Sequence, residues 1–172
     1  MSVITKKVCL LGDFNVGKTS LIRRFVEDKF SDRYLSTVGV KVCRKTVSIK
    51  TDLNIHQTNL LIWDLEGNTK FKSITPSYLK GASGSIIVGD LTRTITLNSL
   101  SQHINLFLEI NPQGTIVIAL NKADLVSQEK LEKLIEIHDV RDRRQILKVC
   151  STSAKTGDKV NEIFNRLSRS FI

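Results

Sequence analysis

The stretch Gly12, Asp13, Phe14, Asn15, Val16, Gly17, Lys18, Thr19 fits the pattern G-x-x-x-x-G-K-[ST]. Before it, Val8, Cys9, Leu10 and Leu11 form a short apolar run that reads as a buried strand. After it, Leu21, Ile22 and Phe25 recur at helical spacing. A strand, a glycine loop and a helix in that order are the context in which the motif binds phosphate. Glycine lets the backbone wrap an anion closely. The N–H groups from Asn15 to Ser20 (Asn15, Val16, Gly17, Lys18, Thr19, Ser20) then line a phosphate chain at a helix N-terminus. Lys18 supplies a point charge, and Thr19 a hydroxyl for Mg²⁺.

Beyond this stretch the chain alternates strand and helix patterns, which argues for an α/β protein with a mostly parallel sheet. Strands are expected at Lys7–Leu11, Val38–Lys50, Asn59–Trp63, Ser85–Asp90, Thr115–Leu120 and Ile146–Cys150. Thr51, Asp52, Leu53 and Asn54 join the second and third as an antiparallel hairpin. Thr94–Ile110 reads as one helix stopped by Asn111 and Pro112, with Leu97, Leu100, Ile104, Phe107 and Leu108 on one face. Ser127 caps a helix that turns Leu131, Leu134 and Ile135 inward. The last helix begins near Gly157 and Asp158 and buries Val160, Ile163, Phe164 and Leu167. Thr69–Lys80, which contains Pro76, reads as a short helix or an ordered loop.

In an open α/β sheet, ligands sit beyond the carboxyl ends of the strands. The third strand ends at Trp63 and Asp64, followed by Leu65, Glu66 and Gly67. Asp64 can hold Mg²⁺ through water, and Gly67 can turn an N–H toward a terminal phosphate. The fifth strand runs into Asn121, Lys122, Ala123, Asp124, an N-K-x-D sequence. A carboxylate there accepts from both N1–H and the exocyclic amine of guanine, a donor pair that adenine lacks. Asn121 tethers neighbouring loops, and the stem of Lys122 can lie over the base. The sixth strand leads to Ser153, Ala154 and Lys155, where the Ala154 N–H can donate to guanine O6. Thr37, in the loop from Phe30 to Gly39, is a candidate Mg²⁺ ligand that senses the terminal phosphate.

The chain has 172 residues, 41% hydrophobic and 25% charged, as expected of one domain spanning 1–172. Its net charge of +9 is scattered rather than gathered into a block, and few aromatics interleave with it. No nucleic-acid partner is expected; a weak attraction to anionic membranes is. Cys9, Cys43 and Cys150 lie far apart without C-x-x-C spacing, so no metal or redox motif emerges. No signal segment or spanning run is legible, and a cytoplasmic monomer is expected. The end, Arg169, Ser170, Phe171, Ile172, carries no prenylation signal; a lipid-bearing tail beyond it would make the protein peripheral to membranes.

These five segments, in this order, resemble the Ras superfamily of small GTPases over nearly the whole chain, and most of all the Rab branch. Phe30–Gly39 is similar to a Rab switch I, and Trp63–Ala82 to a switch II that includes Ser77, Tyr78, Gly81 and Ala82. The resemblance implies a P-loop NTPase G domain: a six-stranded, mostly parallel sheet with one antiparallel strand and about five flanking helices. It also implies GTP/GDP and Mg²⁺ as ligands, with Phe30 and Tyr34 at the nucleotide. Effectors and exchange factors would read the switch loops near 30–42 and 64–80. Of three aromatics that Rab proteins place at the effector surface, Trp63 and Tyr78 are present and the third position is Val42.

The departures lie at hydrolysis. Lys18, Gly67 and Asn68 are the expected catalytic set, but the family carries Gln where this chain has Asn68, one methylene shorter. Misplacement on the order of 1 Å can cost about 10²-fold in rate. Glu66 replaces a small residue, and Phe14 and Asn15 stand where Gly or Ser is usual. The expectation is a guanine-nucleotide switch with slow hydrolysis. The alternative is a GTP-bound interaction module that never cycles.

Overall fold

The computed structural model describes residues 3–33, 36–52, 54–65, 75–138, 140 and 142–172. Tyr34, Gly67 and Asn68 lie outside the described residues, as do Glu66, Leu53 and the first part of the Thr69–Lys80 segment. The strands are β1 (Val3–Gly12), β2 (Val40–Lys50), β3 (Ile55–Leu65), β4 (Gly84–Asp90), β5 (Thr115–Asn121) and β6 (Ile146–Ser151). The helices are α1 (Lys18–Glu27), α2 (Thr75–Leu79), α3 (Thr94–Asn98), α4 (Leu100–Ile110), α5 (Gln128–Ile137) and α6 (Val160–Arg169). The six strands form one sheet in the order β2-β3-β1-β4-β5-β6, antiparallel only between β2 and β3. The expected architecture is therefore present.

β4 is buried at every position and β5 at every position but Thr115, because both faces of the sheet are covered. In β1, Val8 and Leu10 face one core while Cys9 and Leu11 face the other. The first core is closed by Leu21, Ile22 and Phe25 of α1 and by Val160, Ile163, Phe164 and Leu167 of α6. The second is closed by Leu97, Leu100, Ile104 and Phe107 of α3 and α4, Leu134 of α5 and Leu79 of α2. Phe25 and Phe164 stack with ring centroids 3.9 Å apart, tying α1 to α6. Cys9 and Cys150 are buried, as expected of small core residues.

Several boundaries differ from the sequence-based expectations. β1 starts at Val3 rather than Lys7, because Val3–Lys6 pair with Gln57–Leu60 of β3 despite their polar content. β3 extends to Ile55 and Leu65, since its ladder with β2 runs unbroken from Val40↔Leu65 to Lys50↔Ile55. β2 starts two residues after Val38 because Gly39, at φ 71°, breaks the extended backbone. The helix expected over Thr94–Ile110 is broken at Ser99, whose hydroxyl donates to the Ile95 carbonyl at 3.0 Å. Such back-bonding bends helices. Counting α3 and α4 as one bent helix, five flank the sheet among the described residues. α6 starts at Val160, after a turn in which Gly157 at φ 86° and Lys159 at φ 54° are both left-handed.

Phe164 is fully buried. Replacing it with Ala removes the stack on Phe25 and leaves a cavity between α1 and α6; the expected loss is about 3–5 kcal/mol of unfolding free energy, read from urea denaturation.

Candidate functional site

The carboxyl ends of β1, β3, β5 and β6 open onto one cleft of about 790 Å³. Of the residues singled out from sequence, Asn15, Gly17, Lys18, Thr19, Ser20, Phe30, Thr37, Asn121, Lys122, Asp124, Ala154 and Lys155 line it. Val16, Asp64 and Ser153 lie buried behind that lining.

The Gly12–Gly17 loop has the backbone geometry expected of an anion cradle. Gly12 (φ 149°) and Gly17 (φ 101°) take backbone conformations that a side chain disfavours. A Cβ on Gly12 would lie 2.4 Å from the Val88 carbonyl oxygen, and one on Gly17 would lie 2.2 Å from Asn121 Nδ2. Asn15 is left-handed at φ 60°, which helps successive N–H groups converge. Lys18 Nζ curls over the loop and donates to the carbonyls of Gly12 (2.9 Å) and Asp13 (2.8 Å). Burial pushes the Lys18 amine down to about 8, against the raising effects of Asp64 and Asp13; Arg93 lowers it further.

At the inner end of the cleft, three oxygens meet. The hydroxyls of Thr19 and Thr37 are 2.7 Å apart. Both donate to Asp64 Oδ2, at 2.6 Å and 3.3 Å respectively. Asp64 Oδ1 is buried and finds no hydrogen-bond partner among the described residues. Burial raises the carboxyl; Thr19, Lys18, Thr37 and Lys41 pull it back. Hydroxyls and a carboxylate are the hard donors that suit Mg²⁺, and the unpartnered oxygen is one that a bound water could satisfy. The residues therefore fit that ion.

The N-K-x-D loop holds the rest of the site together. Asn121 Nδ2 donates to the Val16 carbonyl at 3.0 Å, and its Oδ1 accepts from Thr152 Oγ1 and from the Ala154 N–H, both at 3.2 Å. The Ala154 N–H is thus engaged by Asn121 in this structure. Asp124 Oδ1 accepts from Ser153 Oγ at 2.6 Å, which fixes the carboxylate. Lys122 Nζ donates to the Asn15 carbonyl at 3.0 Å and pairs with Asp90 at 2.7 Å. Phe30 packs against the first core, and Asp32 approaches Lys155 at 3.7 Å across the cleft mouth. Phe14 lines the cleft and is 46% exposed.

Four residues escaped the sequence reading. Asp90, fully buried, ends β4 and binds Lys122 and Arg93. It could have been found by the same strand-end rule that singled out Asp64. Arg93 donates to the Phe14 carbonyl at 2.6 Å. Arg24 donates from Nε to the Ala154 carbonyl (2.9 Å) and from Nη2 to that of Lys155 (2.7 Å), tying α1 to the loop after β6. His103 Nε2 lies 2.8 Å from Asp13 Oδ1. For the two arginines and His103 the sequence carries no signal, because each acts on a partner far away in the chain.

The family model described as "Ras family" matches residues 7–172. Among curated proteins, the Ras-related protein Rab-22A of Homo sapiens is 36% identical over 171 residues, covering 98% of this chain and 84% of that protein. The GTP-binding protein ypt5 of Schizosaccharomyces pombe is 35% identical over 168 residues, covering 96% and 77%. The Ras-related protein Rab-13 of Bos taurus is 35% identical over 167 residues, covering 96% and 79%.

If Lys18 holds the phosphates, as the motif predicts, its depressed amine makes that capture pH-dependent. Below about pH 8 the amine is charged in both free and bound protein, so affinity for a diphosphate is level. Above it the free protein loses the charge, whereas a bound anion retains it. Binding then takes up a proton, and affinity falls by up to about tenfold per pH unit. Calorimetric titration with GDP at pH 9, in buffers of different ionisation enthalpy, should show that uptake, and it should vanish at pH 7.

Proposed function

The chain belongs to the Ras family, and from that membership and the geometry of the cleft we propose that it is a guanine-nucleotide switch of Rab type. We read residues 1–172 as one domain that binds GTP and GDP with Mg²⁺. Lys18 and the N–H groups from Asn15 to Ser20 hold the phosphates. Thr19 and Thr37 ligate Mg²⁺, and Asp64 holds it through water. Asn121, Lys122, Asp124, Ala154 and Lys155 receive the guanine, with Phe30 and Tyr34 beside the nucleotide. The ion, when bound, neutralises charge on the phosphate oxygens. The observation that carries the reading is Asp124: its carboxylate is oriented by Ser153 in the same cleft as the anion cradle. A carboxylate fixed there suits the paired N1–H and exocyclic amine of guanine and would be left unmatched by adenine.

Hydrolysis is slow in this reading, with Lys18, Gly67 and Asn68 as the catalytic set. Asn68 keeps the amide that orients water but not the reach, and Phe14 adds a phenyl ring to the cleft wall. Protein effectors and exchange factors engage the switch loops. Val42 lies opposite Trp63 across the β2–β3 ladder, and Trp63 lies 6.1 Å from Tyr78, ring centroid to centroid. No helix among the described residues is long and apolar enough to cross a membrane, so any membrane association is peripheral in this proposal.

The first test is the nucleotide released when freshly purified protein is denatured. Mostly GTP is the expected result. GDP would point to a faster enzyme, and an adenine nucleotide would overturn the guanine assignment. The second is a single-turnover assay: Asn68→Gln combined with Phe14→Gly should raise the rate by about 10²-fold. A flat response would remove this account of slow hydrolysis and favour a module that never cycles.

A further inference from the structure

Every carbonyl of the phosphate loop, from Gly12 to Gly17, has a hydrogen-bond donor. Lys18 Nζ takes those of Gly12 and Asp13, and Asn121 Nδ2 takes that of Val16. The helical N–H of Leu21 takes that of Gly17 at 2.9 Å. The remaining two, Phe14 and Asn15, are held by cations from outside the loop, Arg93 at 2.6 Å and Lys122 at 3.0 Å. Both cations rest on one oxygen. Asp90 Oδ2 accepts from Arg93 Nε at 3.0 Å and pairs with Lys122 Nζ at 2.7 Å. Asp90 Oδ1 is fixed in turn by the N–H and hydroxyl of Thr92, at 2.9 Å and 2.6 Å.

A peptide plane points its C=O and its N–H in opposite directions. Fixing the Phe14 carbonyl outward therefore fixes the Asn15 N–H inward, at the residue whose left-handed backbone begins the cradle. We propose that Arg93, seated on the buried Asp90 carboxylate, is a positioning residue for phosphate binding: it holds the 14–15 peptide in the orientation that aims the loop's N–H groups at an anion. The Arg93 guanidinium donates to the Phe14 carbonyl and to Asp90, the carboxylate it shares with Lys122. The inference rests on the phosphate-loop reading and not on the choice of base.

Arg93 is partly exposed (38% of its side chain), so it can be replaced without opening the core. The experiment compares Arg93→Met with the unaltered protein for GDP and GMP, by competition against a fluorescent GDP analogue, together with thermal denaturation. GMP lacks the β-phosphate that the cradle holds. The expected result is a loss of about tenfold or more in GDP affinity, of the size of one charge-assisted hydrogen bond, with GMP affinity close to unchanged. An equal loss for both nucleotides would mean that Arg93 only supports the fold, and an unchanged GDP affinity would mean that the clamp is idle; either overturns the inference. If the unaltered protein prefers ADP to GDP, the base assignment fails, and the same comparison with ADP and AMP still decides the role of Arg93. If it binds no diphosphate, the phosphate-loop reading and this inference fall together.

Discussion

A loop that turns several N–H groups toward one point must turn its carbonyls away from it, and those carbonyls need partners of their own. In this protein the partners come from widely separated parts of the chain: Lys18 from the start of α1, Arg93 from the turn before α3, Asn121 and Lys122 from the end of β5. They can converge because β1, β4 and β5 are neighbours in the sheet with their carboxyl ends level. Gly12 is in register with Val88, and Asp90 with Asn121. The strand order is thus what satisfies the loop, and the satisfied loop is what leaves N–H groups for an anion.

The same convergence buries charge. Lys18, Asp64 and Asp90 are all shielded from solvent, and a lone buried ion would cost several kcal/mol. Each is compensated differently. Asp90 is held below the ordinary carboxylate range: burial acts to raise it, and hydrogen bonds from Lys122, Thr92 and Arg93 outweigh that effect. Asp64 goes the other way, raised by burial despite two hydroxyl donors, and retains an unpartnered oxygen. Lys18 is lowered. The fully paired acid is a fixture of the scaffold, whereas the two incompletely compensated groups, Lys18 and Asp64, are the ones a cation and a phosphate chain would complete.

The corner where Thr19, Thr37 and Asp64 meet also reaches the outer sheet. Thr37, from the loop before β2, meets Asp64 near the end of β3 through its hydroxyl. Asp64 stands opposite Lys41 in the β2–β3 ladder, and the next pair along is Val42 with Trp63. A change in what Thr37 contacts is therefore one rung of sheet away from the half-exposed Val42 side chain on the edge strand. A conformational signal needs such a short mechanical path between a ligand-sensitive contact and a surface that a partner can read.

Much of this was written locally. The G-x-x-x-x-G-K-[ST] loop, the N-K-x-D loop and Asp64 are recognisable because their chemistry depends on residues close together in sequence or placed at the end of an apolar strand. The α/β alternation follows from periodicity for the same reason. What only the tertiary structure decided are the contacts between distant segments: Arg24 with the loop after β6, Arg93 with the Phe14 carbonyl, Lys122 with Asp90, and His103 with Asp13. The true lengths of β1 and β3 belong to the same class, since polar residues there are held in strands by their partners and not by their own preference. A periodic pattern reports which face of an element is buried; it carries no information about which long, flexible side chain reaches across a cleft to a backbone carbonyl, because that depends on strand order and register.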